Sequence, residues 1–453
     1  METKKHLAPK ISVVIPNHNG GAALQRCLTA VRASSYDNYE CIVVDDGSTD
    51  RSVETMRDLA VQVIELGGGP FGPAHARNVG AQAASGAILF FLDADVVIYP
   101  DTLYKVVNAF TRNFELTAVF GSYDDQPGDG HFLSQYKNLF HHLVHQQANE
   151  ASRSFWSGCG AIRRDVFLAV GGFDSVKFPK PSIEDIELGR RLSMQGHKII
   201  IDKTIQVKHL KRWTLTNLIK TDIFSRGIPW TQLILVDRAI PDDLNLETSQ
   251  RWSALLAGGL LLLLTVSAFF FRQMVLLPIL FSLFWFMLQG WQWDEETPRY
   301  EIDRRTILSF GIAVALFVIL AVGLGFANFL PSALVLMGLI IVAPALTKGS
   351  PILRRATFAL MIIFIGVIML QIVAVYPLWL GAVACSSLGL FILLNRKFYM
   401  FFTKKRGLMF AAAVVPFHML YFLYSVIAFL AGTFKYYWRS GSPVMIEPTR
   451  SKS

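Results

Sequence analysis

Ile88-Leu89-Phe90-Phe91-Leu92 is a run of five apolar residues that stops at two carboxylates one residue apart, Asp93 and Asp95. So short a run, ended so sharply, predicts a buried strand of a parallel sheet and not a helix. At the carboxyl end of such a strand the two acids lie on the rim where open α/β sheets bind ligands. Alternation along an extended backbone points both to the same side, with Ala94 away from them. Two hard oxygen donors at that spacing suit a divalent ion that also takes phosphate oxygens, Mg²⁺ or Mn²⁺. The alternative is a strand closed by a plain acidic turn, and the rest of the chain has to decide.

The 453 residues are unevenly composed. Residues 1 to about 250 mix charged and apolar side chains as a soluble domain does, whereas 253–433 is dominated by long apolar runs. That contrast predicts an integral membrane protein with a soluble N-terminal domain. The opening Met1–Lys10 is polar and leads at once into a strand, so no signal peptide is expected and the N-terminal domain should stay in the cytoplasm. Cys27, Cys41, Cys159 and Cys385 form no CxxC pair, which fits a reducing compartment and argues against a thiolate zinc site. The formal charge of +9 falls in short basic clusters beside the apolar runs, which points to phospholipid headgroups before nucleic acid.

Strand signals at Ile11–Pro16, Glu40–Val44 and Val61–Leu66 alternate with helical spacing over 22–33 and from Ala74 to Ala84. Ser48 or Thr49 is placed to cap the helix that follows the second strand. This alternation predicts a doubly wound, mostly parallel sheet whose loop ends gather Asp45, Asp46, Arg77, Asp93 and Asp95 on one rim. Three or more acids with an arginine suit a metal diphosphate better than a structural rim. The glycine run Gly67–Gly69 lacks the phosphate-loop spacing and reads as a flexible loop.

Val14-Ile15-Pro16 with Asn17 and Asn19, Val44-Asp45-Asp46-Gly47-Ser48-Thr49-Asp50, Ala76-Arg77-Asn78-Val79-Gly80 and Leu92-Asp93-Ala94-Asp95 together resemble the family 2 glycosyltransferases, in that family's order. The resemblance implies a GT-A fold (Rossmann-like) and inverting transfer of a sugar from a nucleotide-sugar donor. By position it implies donor binding by Pro16, Asn17, Asp45, Asp46, Arg77 and Asp93, with Asp46 accepting from the base and Arg77 facing the nucleotide or its phosphates. Asp95 would ligate the metal, with Asp93 beside the ribose or the metal. Phe155–Arg164, with Trp156 and Gly158, and Val170–Asp174 look like the family's acceptor-side segment. Ser182–Leu192 resembles its Glu-Asp helix, with Glu184 on the acceptor side and Asp185 as general base. A carboxylate held among other acids can have its pKa raised toward the working range; its alternative is a helix N-terminal acid favoured by the macrodipole. Val207–Trp213 resembles the Gln-x-x-Arg-Trp motif of processive members, with His209 in place of Gln and with Arg212 and Trp213 retained. His209 is either a third metal ligand or an ordinary loop histidine. The cluster His131, His141, His142 and His145 reads as a surface helix rather than a transition-metal site.

From Trp213 to Val236 apolar and aromatic residues alternate with Lys220, Arg226 and hydroxyls, and Gly227 and Pro229 split the stretch into two short helices. It is expected to lie on the membrane, the alternative being a core helix of the soluble domain. Crossing-length runs follow at 254–271, 274–291, 307–328, 330–347, 356–376, 378–394 and 408–432. The expected organisation is a GT-A domain over 1–210, interfacial helices over 211–250, an all-α transmembrane bundle of six or seven spans over 251–435, and a polar tail over 436–453. Basic clusters at 292–306, 348–355 and 395–406 then fall on the cytoplasmic side. The implied function is a metal-dependent glycosyltransferase at the cell (inner) membrane, catalytic domain in the cytoplasm, acting on a lipid-linked or other membrane-proximal acceptor. A processive polysaccharide synthase is one alternative, and His209 and the scarcity of ionisable residues in the spans, His418 excepted, weigh against it. A non-catalytic scaffold or transporter is the other.

Overall fold

The computed structural model describes residues 9–57, 61–237, 248–271 and 378–440. The chain divides into two compact units, Met1–Asp129 with Ser134–Glu247 and Tyr424–Ser453, and Gly130–Leu133 with Thr248–Leu423.

The first unit opens with β1 (Ile11–Asn17), α1 (Gly21–Arg32), β2 (Tyr39–Asp45), α2 (Ser52–Arg57), β3 (Gln62–Glu65), α3 (Pro73–Ala83) and β4 (Ile88–Leu92). It continues through β5 (Val96–Ile98), α4 (Thr102–Arg112), β6 (Leu116–Tyr123), α5 (Phe132–Gln147), β7 (Ala151–Ser152) and β8 (Cys159–Arg163). Then come α6 (Arg164–Ala169), α7 (Glu184–Met194), β9 (Lys198–His209), α8 (Leu215–Lys220), a π-helical segment (Thr221–Gly227) and α9 (Ile228–Asp237).

All five residues of β4 are buried, as a central strand requires. Its side chains alternate between two cores. Phe90 and Leu92 join Leu24, Leu28 and Val106 of α1 and α4 on one face, while Leu89 and Phe91 join Ala76, Phe167 and Leu188 of α3, α6 and α7 on the other. The strand order is β3-β2-β1-β4-β8-β6-β9-β5, with β7 pairing β9. The first four strands of that path run parallel, but β4–β8, β6–β8, β5–β9 and β7–β9 are antiparallel. The sheet is therefore mixed and not mostly parallel. Beyond Ile98 the helices α4, α5, α6 and α7 separate the strands, and the β6–β9 pair is again parallel.

Register aligns the functional ends. Asn17 pairs Asp45 across β1–β2, and Leu92 pairs Cys159 across β4–β8. Val96 pairs His209 across β5–β9, which brings a distant histidine to the Asp95 turn.

The expected break at Gly227 and Pro229 is absent. The helix continues through a π-helical turn, because the Ser225 carbonyl that Pro229 cannot serve accepts instead from the Ser182 hydroxyl at 2.8 Å. Leu233 packs with Phe178 and Ile183 in the core of the first unit, so part of the expected interfacial stretch is core. Asp222 is buried in the π-helical turn. Its carboxylate accepts from Lys137 Nζ at 2.6 and 2.9 Å and from the Tyr424 hydroxyl at 2.6 Å. Burial opposes its ionisation, but Lys137 and Arg226 outweigh that and hold its pKa below the ordinary carboxylate value.

The second unit contains α10 (Thr248–Phe271), α11 (Leu378–Leu394), α12 (Arg396–Arg406) and the first half of α13 (Leu408–Ser440). The Asn395 amide donates to Ser253 Oγ at 2.9 Å and so ties α11 to α10. The basic cluster at 395–406 forms a helix over Arg396–Arg406: Phe398, Tyr399 and Phe402 recur at helical spacing, and Tyr399 and Phe402 are buried. His418 lies against Phe398 at 3.9 Å, with its Nδ1 3.1 Å from the Tyr399 hydroxyl. Among the described residues one helix, Leu408–Trp438, is long and apolar enough to cross a membrane, and Trp252–Leu263 and Val383–Leu394 are shorter apolar helices. The spans expected at 274–291, 307–328, 330–347 and 356–376 lie outside the described residues.

Candidate active site

A cleft of about 1140 Å³ opens at the carboxyl ends of β1 and β4 and extends to α5, α7 and the π-helical turn. Pro16, Asn17, Asp46, Arg77, Asp93, Asp95, Trp156, Gly158, Glu184, Asp185, His209, Arg212 and Trp213 all line it. Asp45 lies behind that wall, buried. Its carboxylate accepts from Asn17 Nδ2 at 2.6 Å, from the Ser48 hydroxyl at 2.6 Å and from the Ser48 amide at 3.0 Å. Ser48 is thus committed to Asp45 and does not cap α2, where Asp50 accepts the Ser52 N–H at 3.0 Å. Asp46 accepts from the Phe71 and Gly72 amides, each at 2.7 Å. The glycine-rich loop is therefore pinned to the strand it faces.

The two acids of the opening stretch do not point the same way. Asp93–Asp95 is a turn, closed by Val96 N–H donating to the Asp93 carbonyl at 3.0 Å, so the strict alternation of an extended strand ends at Leu92. Asp93 turns to Arg77, whose Nη2 donates to Oδ1 at 2.6 Å, while the same guanidinium donates through Nη1 to Glu184 Oε1 at 3.0 Å. Arg77 is buried and bridges β4 to α7, so both of its end nitrogens face carboxylates. Arg77 thus stands at the cleft wall with its end nitrogens paired to two carboxylates. The neighbouring Asn78 clasps the backbone of Phe173 from both sides, at 2.7 and 2.9 Å.

Asp95 turns the other way, with Oδ2 3.5 Å from His209 Nε2. His209 Nδ1 is 2.6 Å from Asn138 Oδ1, and the Tyr123 ring stacks on the imidazole at 4.3 Å. The Asn138 amide oxygen accepts only from a protonated Nδ1, which turns Nε2 to the Asp95 carboxylate, where it either donates to that carboxylate or, deprotonated, shares a cation with it. Two electron-pair donors so faced are complementary to a cation between them. Among the described residues no group of three or more His, Cys, Asp or Glu side chains is arranged to hold an ion. The pair would therefore leave the remaining positions to water and substrate phosphate, as Mg²⁺-type sites on nucleotides do.

Asp185 stands in the first turn of α7. Oδ2 accepts from the Ser157 amide at 3.0 Å and its hydroxyl at 3.2 Å, and Oδ1 accepts from Ile186 N–H at 2.8 Å. Gly189 makes this docking possible, because a Cβ there would collide with the backbone of Ser154 and Phe155. Burial, with Glu184 beside it, pushes the Asp185 carboxyl up to about 6.

Sequence reasoning missed α5. Its histidines are not on a surface helix: His142 Nδ1 lies 2.7 Å from the Tyr123 carbonyl, and His141 and His145 face the cleft. Ser134, which accepts the Trp213 N–H at 2.8 Å, and Asn138 continue the same inward row. The positions 134, 138, 141 and 145 follow helical spacing, and that polar stripe was the available signal.

Residues 12–171 match the family model described as glycosyl transferase family 2, so the chain carries a glycosyltransferase family 2 domain. An uncharacterized glycosyltransferase of Haemophilus influenzae is 36% identical over 119 residues, covering 25% of this chain and 47% of that one. One from Nostoc is 31% identical over 179 residues, covering 37% and 55%. The chain thus spans about half the length of these curated relatives. A mannosyltransferase from Pyrobaculum calidifontis, solved with GDP-Man and Mn²⁺, is 16% identical with a TM-score of 0.42, covering 91% of this chain and 88% of that one.

Proposed function

We propose that this chain is a membrane-anchored, inverting glycosyltransferase that moves a sugar from a nucleotide sugar to a lipid-linked or other membrane-proximal acceptor, with the aid of a divalent metal. The observation that carries this reading is the convergence on one cleft of a cation-complementary pair, Asp95 and His209, and a carboxyl raised to about 6, Asp185. The acceptor hydroxyl approaches the anomeric carbon from the face opposite the departing diphosphate. As its oxygen bonds to that carbon, Asp185 takes the hydroxyl proton, and the bond to the diphosphate breaks with its electron pair leaving on the diphosphate oxygen. A pKa near 6 leaves Asp185 largely ionised at pH 7 yet more basic than an ordinary carboxylate. Asp95 and His209 would hold Mg²⁺ or Mn²⁺, which supplies charge neutralisation for the leaving diphosphate. Arg77 holds Asp93 and Glu184 in place on either side of the reacting centre. The long apolar helix Leu408–Trp438 supports a membrane anchor, and the run of apolar segments in 253–433 supports several crossings.

The test is turnover of UDP-, GDP- and dTDP-sugars by the full chain, with a membrane lipid extract as acceptor and with EDTA or added Mn²⁺. One donor should be consumed in a metal-dependent way. Asp185→Asn should keep donor binding and lose transfer by roughly 10²- to 10⁴-fold. Unchanged transfer would remove Asp185 from the mechanism, and no turnover of any donor would remove the enzyme reading.

A further inference from the structure

Thr221, Ser225 and Arg226 of the π-helical turn line the cleft, whereas Asp222 of the same turn is buried. The wide i→i+5 winding brings positions four and five apart to one side. The Arg226 side chain keeps 38% of its surface exposed, so a ligand in the cleft can reach it. A guanidinium has no acceptor, so the 3.2 Å contact between its Nη1 and His141 Nε2 is a bond that Arg226 donates. Burial, with Lys137 and Arg226 beside it, holds His141 well below the usual histidine range. That partner is therefore neutral at pH 7 and takes up none of the charge. The ion-pair partner of Arg226 is Asp222, but at 3.7 Å. Its carboxylate is already engaged: Lys137 donates to both oxygens, at 2.9 and 2.6 Å, and the Tyr424 hydroxyl to one of them at 2.6 Å. Two cations thus share one carboxylate, and the surplus positive charge lies on the one that lines the cleft.

This charge is set apart from the pair proposed to hold the metal and the donor diphosphate. The Tyr123 ring stacks on His209 at 4.3 Å and on His141 at 6.0 Å. Two rings, Tyr123 and His141, therefore stand in the series of contacts that leads from Asp95 and His209 to Arg226. The second half of α13 backs the π-helical turn closely: a Cβ on Gly227 would stand 2.6 Å from that of Ala428, and one on Gly432 2.6 Å from that of Thr231. With Tyr424 bonding Asp222, these contacts tie the turn to the helix proposed as the membrane anchor. Phe224 of the same turn is 63% exposed. A planar fork with hydroxyl residues beside it suits phosphate oxygens, while an anchor helix and an exposed aromatic suit an alkyl chain. We propose that Arg226, with Thr221 and Ser225, binds a phosphate group of a lipid-linked acceptor at a place separate from the donor diphosphate. The proposal rests on the glycosyltransferase reading and deepens it: the acceptor carries a phosphate of its own.

The experiment uses the full chain in phosphatidylcholine nanodiscs, with empty nanodiscs as the blank. Dodecyl phosphate is titrated by phosphorus NMR, with dodecanol and inorganic phosphate as competitors. Dodecyl phosphate binds the wild type, and saturating UDP or GDP with Mn²⁺ leaves its affinity within roughly twofold. Arg226→Gln weakens it about tenfold or more, because a charge-assisted pair is lost. Phenylglyoxal modification mapped by mass spectrometry reads the same contact without a mutation: dodecyl phosphate protects Arg226 and dodecanol does not. The proposal is overturned if dodecyl phosphate neither binds the wild type nor protects Arg226, or if a folded Arg226→Gln binds it as tightly. It also falls if UDP or GDP displaces the probe, which would give Arg226 to the donor. Competition by inorganic phosphate as strong as the lipid's own binding would make this a free-phosphate site, and equal competition by dodecanol a site for the chain alone; either result overturns it. Nucleotide binding is read separately by calorimetry. Failure of UDP and GDP to bind the wild type would sink the glycosyltransferase reading, whereas the dodecyl phosphate result speaks to the Arg226 site on its own.

Discussion

At the end of the cleft built from β1, β2 and α3, the charged groups already have protein partners. Asp45 is bonded to Asn17 and Ser48, Asp46 to two loop amides, and Arg77 to Asp93 and Glu184. Under α5, at the other end, the wall is mostly aromatic with Arg226 beside His141, and His145 Nδ1 and Asn138 Nδ2 are buried without partners. The first end is a frame whose shape is set before any ligand arrives, in the sense of a preorganised site. The second is set by ring packing more than by paired charges. The two ends meet at Asp95, His209 and Asp185, and substitutions there should discriminate the two roles.

The largest effect is expected at Asp95→Ala. Removing one of the two groups proposed to hold an ion should cut donor turnover by about 10³-fold or more, since the several kcal/mol a bound metal contributes would go with it. The fold should persist, because the turn's own bonds, Leu210 N–H to the Asp95 carbonyl at 2.9 Å and Val96 N–H to the Asp93 carbonyl, involve only backbone. Donor turnover and the melting temperature check this together. If activity and melting temperature fall in step, Asp95 belongs to the frame and not to the chemistry.

The frame end was legible in the sequence and the α5 end was not, for physical reasons. A five-residue apolar run ended by acids reads as an interior strand reaching a rim, Asp46 and Asp95 sit within a few residues of such ends, and Arg77 stands in the α3 helix beside them. Local pattern misjudged the Asp93–Asp95 turn, because alternation holds only while the strand continues. The pairing of His209 with Asp95 depends on β5 running antiparallel to β9, a non-local register that no single stretch encodes. On α5, Leu133, Tyr136, Leu139, Phe140 and Leu143 are buried alongside Ser134, Asn138 and His142. A helix buried on most sides carries its polar stripe inward, where a reading by amphipathic faces assigns it to solvent.

A smaller and graded effect should come from pH. With the Asp185 carboxyl near 6, transfer should fall about tenfold for each unit below that value, as the base is protonated. Stability should move the opposite way. A folded-state pKa above the unfolded one means that the native protein binds the proton more tightly. Asp185 therefore costs stability as pH rises from the ordinary carboxylate range through about 6, reaching about 1–3 kcal/mol and then levelling off. The Asp185→Asn melting temperature should accordingly match wild type near pH 4 and equal or exceed it at pH 7. A variant that melts lower at pH 7 would mean that the bonds to Ser157 and Ile186, rather than the charge, dominate at this position.

The smallest effect sharpens the boundary between the two ends. Asn138 meets the site through the 2.6 Å bond to His209 Nδ1. Partners that fix the tautomer of a metal-binding histidine typically matter about 10- to 100-fold in metal affinity. Asn138→Leu should therefore weaken Mn²⁺ binding in that range, read by electron paramagnetic resonance on the full chain, so that turnover becomes limited by metal concentration and recovers when Mn²⁺ is raised. Leucine fills a similar volume and also removes the unpartnered Nδ2, so the melting temperature should hold. Loss of activity that added Mn²⁺ cannot restore would mean that α5 shapes the donor frame itself, and the division between the frame and the ring-packed end would have to move.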